Sequence, residues 1–196
     1  VDTLNQVESA VLWAIDIAND ETHGYDQNNR WSPDFDCSSF VISAYEQAGI
    51  HVRALGASYT GDMKTPFIKC NFIDVISTVN VSTGTGLQRG DILLRESGHA
   101  AIYIGSGKLV NAQWNENGKK TGGTTGDQTG KEICVRSYYN SPWSCVLRFN
   151  GNNIIISDPP QPPPSHPSEI SSYPSDISIT RTGGMKIWMM VIRKRG

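Results

Sequence analysis

Asp34-Phe35-Asp36-Cys37-Ser38-Ser39-Phe40-Val41-Ile42-Ser43-Ala44-Tyr45-Glu46-Gln47-Ala48-Gly49 decides the fold. Phe40, Val41, Ala44, Tyr45 and Ala48 form an apolar stripe at helical spacing. Asp36 is a good N-cap and Gly49 a good residue just past the end. Cys37 therefore falls in the first helical turn, over the buried stripe. A thiol placed there feels the positive end of the helix dipole, which favours the nucleophilic thiolate. A small buried cysteine filling space under a helix is the plainer reading of the same position.

The helix has companions on both sides. Val7, Val11, Ala14, Ile15 and Ala18 make one face of a helix over residues 4–19, with Thr3 and Gln6 as a capping box. A short helix is expected around residues 60–69, and a strand over 72–79. After Gly90 the pattern changes to short strands over 91–95, 99–104, 108–113, 132–137 and 144–149, with a Gly- and Thr-rich loop at 117–130. Helices first and an antiparallel sheet after read as an α+β domain.

At 196 residues the chain has room for one ordinary domain plus something smaller, and its core needs no disulfide staples. A net charge of -2 implies no basic face and argues against nucleic acid as a partner. No apolar run reaches the length of a membrane span. No signal peptide is visible, and the chain opens at Val1. Seven of the ten prolines fall between Pro159 and Pro174. Residues 1–150 carry 12 basic and 16 acidic residues, and the remainder 5 and 3. The expected organisation is a domain over 1–150, a Pro- and Ser-rich linker over 151–180, and the start of a truncated module over 181–196.

The four cysteines, Cys37, Cys70, Cys134 and Cys145, fit neither a zinc site nor a dense disulfide framework. Cys134 and Cys145 lie in strand-like segments that could pair across a hairpin; unpaired burial is the alternative for these two and for Cys70. No phosphate loop, dinucleotide fingerprint, calcium loop or metal site emerges, and no cofactor is expected.

A cysteine nucleophile needs a base, and the base needs an orienter. Of four histidines, His99 opens a strand, Gly98-His99-Ala100-Ala101-Ile102-Tyr103-Ile104-Gly105. Alternation puts His99, Ala101 and Tyr103 on one face and Ala100, Ile102 and Ile104 on the core face. Asn111 in the next strand falls opposite Ala101 if the turn at residues 105–107 has three residues or a bulge, and then lies diagonal to His99. A plain two-residue turn puts it on the wrong face. The expected constellation is Cys37 as nucleophile, His99 as base and later acid, and Asn111 as orienter.

DFDCSSF, GDILL and HAAIYIGSGKLVNA, in that order, resemble the NlpC/P60 superfamily of cell-wall cysteine peptidases. HGYDQNNRWSPDFDCSSFVISAYEQAG and TGDQTGKEICVRSYYNSPWSCVLRF resemble the phage and prophage peptidoglycan amidohydrolases used as endolysins. The resemblance covers residues 1–149. It implies a papain-like α+β core with the nucleophile helix packed on an antiparallel sheet. It implies Cys37 and His99 as nucleophile and base, and Asn111 at a third position held by His, Asn or Gln. Tyr25, Asp36 and Ser38 fall around the oxyanion site, and Trp31, Trp114 and Trp143 are candidate aromatic walls. The usual Trp-Gly-Gly run after the tyrosine is replaced by Asp26-Gln27-Asn28-Asn29-Arg30-Trp31. The implied activity is cleavage of an amide in bacterial peptidoglycan by a monomer at the cell wall. Muramoyl-alanine amidase and stem or cross-bridge endopeptidase chemistry share the triad. A general papain-type protease expects Cys-Gly-Ser-Cys-Trp-like surroundings, which are absent. A non-catalytic wall-binding or phage-tail module of the same fold expects Cys37 or His99 to be lost, and both are present.

Overall fold

The computed structural model describes residues 3–151, which lie in the first of two compact units, Val1–Pro160. The linker and module expected over 151–180 and 181–196 fall outside the described residues from 152 onward, as does the side chain of Thr3 with its capping box.

Three α-helices precede most of the sheet: α1 (Thr3–Ala18), α2 (Cys37–Gln47) and α3 (Lys64–Lys69). Six strands follow: β1 (Phe72–Asp74), β2 (Ile92–Arg95), β3 (His99–Gly105), β4 (Lys108–Ala112), β5 (Ile133–Ser137) and β6 (Cys145–Phe149). They form one antiparallel sheet in the order β1-β6-β2-β3-β4-β5. This is the α+β architecture read from the residue pattern. No helix among the described residues is long and apolar enough to cross a membrane.

The apolar stripes form the main core. Ala10, Val11 and Ala14 of α1 and Phe40, Val41, Ala44 and Tyr45 of α2 are fully buried with Ala100, Ile102 and Val110 of the sheet. Burying a side chain such as Phe40 or Val41 contributes roughly 1.5–3 kcal/mol, enough to fix which face of α2 meets the sheet. Tyr45, Phe67 and Phe72 meet edge to face, with centroids 5.0–5.5 Å apart. The Tyr45 hydroxyl satisfies itself by donating to the Gly90 carbonyl at 2.6 Å.

The other face of the sheet is also covered. Leu93, Ala101, Tyr103, Leu109, Trp143 and Val146 form a second, smaller core. At one end, the Arg148 guanidinium grips Asp91, donating from Nε at 2.8 Å and from Nη2 at 2.6 Å. At another, Arg89 clamps Glu8 of α1 with two bonds of 2.8 Å and donates to the Ile104 carbonyl.

Two expectations change. The strand expected over 72–79 stops at Asp74 and gives way to a 3-10 turn at Ile76–Thr78. The Asp74 carboxylate causes this, accepting from the Ile76 N–H at 3.1 Å, from the Val146 N–H at 3.2 Å and from Lys64 at 2.8 Å. A side chain that caps the backbone competes with strand continuation. Cys134 and Cys145 are not hairpin partners, because β4, β3 and β2 lie between β5 and β6; both thiols are free. Cys145 is buried, whereas Cys70 and Cys134 are only partly so.

Candidate active site

The nucleophile helix begins where the sequence places it. Asp36 caps α2 by accepting from the Ser39 N–H at 2.7 Å, and Ser39 Oγ accepts from the Asp36 N–H at 2.9 Å. Arg30 braces this cap. Its Nε lies 2.8 Å from Asp36 Oδ2, and its Nη2 donates to Ser38 Oγ at 2.8 Å. Ser38 Oγ donates in turn to Asp36 Oδ1 at 2.8 Å.

The segment leading to the helix is riveted to a distant loop. One oxygen of buried Asp34 accepts from the Gly24 N–H at 3.0 Å and from the Gly126 N–H at 2.9 Å. The two backbones touch so closely that a β-carbon on Gly24 would lie 2.1 Å from the Gly126 carbonyl oxygen. Only glycine fits there. The Tyr25 N–H donates to Glu132 at 2.9 Å, which fixes the tyrosine beside the helix start.

His99 and Asn111 meet because the β3–β4 hairpin carries a bulge. Ser106 and Gly107 make a tight turn with φ of 50° and 66°, the left-handed pair that such hairpins require. The register shifts between Tyr103 and Gly105, with Tyr103 opposite Leu109 and Ile102 opposite Val110. One extra residue on β3 turns Asn111 to the His99 face. The Asn111 amide nitrogen lies 3.0 Å from His99 Nε2, and Asn111 is fully buried.

Tyr139, in the segment after β5, joins this pair. Its hydroxyl is 2.9 Å from His99 Nε2 and 3.2 Å from the Asn111 amide nitrogen. Gln113 donates to the same hydroxyl at 3.3 Å, and Arg136 fixes that amide by donating to Gln113 Oε1 at 2.8 Å. Trp143 stacks on the imidazole, with centroids 5.8 Å apart and planes 22° apart.

Cys37, His99, Tyr25 and Trp114 line one cleft of about 300 Å³, joined by Gln113 and Tyr139. Asn111 sits behind His99. Four residues expected around the site do something else. Asp36 and Ser38 are turned into the Arg30 network and hold the helix cap. Trp31 lies against the main core, with the guanidiniums of Arg53 and Arg30 at 4.0 Å and 5.1 Å from its ring centre, and is not among the residues that line the cleft. Trp143, 5% exposed, packs under His99 instead of forming a wall.

The electrostatics also depart from expectation. The helix N-terminus alone favours a thiolate, yet burial and then the adjacent Asp36 charge push the Cys37 thiol up to about 11. Hydrogen bonds from the Ala100 and Ser38 backbone and the Arg30 charge pull the other way and lose. Burial, with Arg95 and Arg136 nearby, pulls His99 down to about 4. At neutral pH the resting site therefore holds a thiol and a neutral imidazole.

Residues 32–110 and 109–155 match the family described as the endolysin-like domain. The chain belongs to that family. Among solved structures, NlpC1 from Trichomonas vaginalis shares 16% identity at a TM-score of 0.45, over 76% of this chain and 45% of that one. A mutated form of the resuscitation promoting factor interacting protein RipA shares 15% identity at a TM-score of 0.45, over 76% and 65%. NlpC2 from Trichomonas vaginalis shares 16% at 0.44, over 76% and 48%. The chain thus spans less than two thirds of each of these proteins. In this endolysin-like domain, Tyr139 and Arg136 had no signal in the residue pattern. Gln113 did, since alternation along β4 puts it on the Asn111 face.

Proposed function

We propose that this endolysin-like domain is a peptidoglycan hydrolase that cleaves an amide of the wall peptide through Cys37, His99 and Asn111. The observation that carries the reading is a half-buried imidazole whose Nε2 is held by Asn111 and Tyr139 in a cleft that Cys37 also lines. With Nε2 held, Nδ1 is the nitrogen that exchanges a proton with the thiol.

Proton placement follows from the amide. If Asn111 presents its NH2 group to the ring, Nε2 must accept and the ring proton sits on Nδ1, where it blocks base chemistry. Turning the amide over brings Oδ1, otherwise buried without a donor, onto the Nε2–H and the Tyr139 hydroxyl. Nδ1 then carries the lone pair. The working state is the turned one.

Because the thiol and imidazole both rest neutral, proton transfer accompanies attack. Sγ bonds to the amide carbonyl carbon as its proton passes to Nδ1. The Cys37 N–H at the helix start faces the developing oxyanion, with Tyr25 beside it. His99 returns the proton to the leaving amine, the C–N bond breaks, and a thioester remains. Water, deprotonated by His99, then releases the acid and regenerates the thiol.

Clearing of bacterial walls in a zymogram by the wild type but not by Cys37→Ser is the test; equal clearing by both removes the mechanism. Mass spectrometry of the released fragments separates muramoyl-alanine amidase from endopeptidase action by the new amine and carboxyl ends. The Pro- and Ser-rich composition of 151–180 supports its use as a tether, which raises the enzyme's local concentration at an insoluble polymer.

A further inference from the structure

Two cations in the cleft have no partner in the chemistry above. Arg95, at the end of β2, lies opposite His99 in the β2–β3 register and lines the cleft. Lys120 reaches it from the loop after β4, its ammonium 5.7 Å from the Trp114 ring centre. No aspartate or glutamate lines the cleft.

Four cations elsewhere in the domain are neutralised by acids. Arg30, Lys64, Arg89 and Arg148 each lie within 2.8 Å of a carboxylate. Among the described residues, neither Arg95 nor Lys120 forms an ion pair with an acid. The Arg95 side chain and the Lys120 main chain are nevertheless held in place. Arg95 donates to Ser141 Oγ at 3.4 Å, and the Lys120 carbonyl accepts from the Gln27 N–H at 2.9 Å. Positive charge placed in the nucleophile's own cleft, and left uncompensated, suits an anion that arrives with the substrate.

We infer that the cleft selects an anionic peptide, in which a free carboxylate near the scissile amide is received by Arg95, with Lys120 as the second cation. The inference rests on the hydrolase reading and names its substrate class. A guanidinium can take a carboxylate through two parallel bonds, which fixes orientation as well as charge. Two uncompensated cations also repel a cationic peptide of the same shape and gain nothing from a neutral one, so the site selects by repulsion and by attraction.

The test uses two synthetic wall-stem peptides of identical sequence, one with free carboxylates and one with each converted to carboxamide. The ratio of kcat/KM for the two is measured for the wild type, Arg95→Gln, Lys120→Gln and Arg95→Lys. The wild type is expected to favour the carboxylate peptide about tenfold or more, the scale of one charge-assisted hydrogen bond. Arg95→Gln and Lys120→Gln are expected to move the ratio toward one, and Arg95→Lys to restore part of it. Binding of both peptides to Cys37→Ser, followed by NMR, should show the same preference without turnover. Equal kcat/KM for the two peptides in the wild type, or a preference that survives both glutamine variants, overturns the inference. If the wild type cleaves neither peptide, the hydrolase reading fails, and the binding arm still decides whether the cleft is an anion site.

Discussion

Protonating His99 is expected to destabilise the fold, and the cost follows from its surroundings. In the unfolded chain the imidazole titrates near its ordinary 6.5, whereas in the folded protein burial, Arg95 and Arg136 hold it at about 4. Between those values the unfolded state binds the proton and the native state does not, so stability falls as pH falls. The loss begins near 6.5 and is complete near 4, below which both states are protonated. Each tenfold difference in proton affinity between the two states corresponds to about 1.4 kcal/mol, so lowering the pH from 7 to 4 costs about 3 kcal/mol through this residue alone. Urea unfolding of the wild type and His99→Gln at pH 7, 5.5 and 4 isolates this contribution. Carboxylates held low by partners, such as Glu8 beside Arg89 and Asp74 beside Lys64, contribute equally to both proteins. The wild type should therefore lose about 3 kcal/mol more than the variant over that range. Parallel pH profiles would refute the reasoning, and with it the picture of an imidazole kept neutral by burial and two arginines.

Four further outcomes are expected. Alkylation of Cys37 by iodoacetamide, followed by peptide mass spectrometry, should rise about tenfold per pH unit well beyond pH 9; a plateau near neutrality would show a resting thiolate. Asn111→Ala should lower kcat on wall substrate by about 10–1000-fold with little change in KM, because the imidazole loses its orientation. Tyr139→Phe should do the same more mildly, and unchanged kinetics in both would disconnect that network from the chemistry. Arg148→Met leaves the Asp91 carboxylate, 1% exposed, without its cation. It should cost about 3 kcal/mol in urea unfolding, since removing one partner strands a buried charge; a loss below about 1 kcal/mol would mean that the carboxylate simply takes up a proton.

Much of the framework was legible because local and distant signals agree. Asp36, the 3.6-residue stripe and Gly49 mark both ends of α2 without reference to any other part of the chain. The meeting of His99 and Asn111 hung on one residue of register. Glycines on both sides of Ser106 hinted at a bulge without proving it. Other features depend on groups far apart in sequence. Asp74 ends β1 by binding the backbone of β6, which no local pattern announces. Asp36 and Ser38 look like site residues until Arg30 is seen to occupy them. Trp31 is drawn away by two guanidiniums, one of them 22 positions later. The Cys37 thiol carries a neighbour's negative charge and a burial penalty that outweigh the dipole, and weighing them requires the packed structure. Tyr139 comes from an irregular segment, where periodicity has nothing to say.

The contact between Gly24 and Gly126 divides the rim of the cleft into parts with different freedom to vary. At the seam, two main chains separated by about a hundred positions are fastened by one carboxylate, and neither can gain an atom without displacing the other. The stretch from Trp114 to Lys120 hangs from the near side of that fastening and is anchored to it through the Gln27 amide. Under the proposed function, substitutions at its tip can therefore change which substrate is gripped while the thiol and imidazole keep their positions. Diversification among relatives should gather in that overhang and spare the seam.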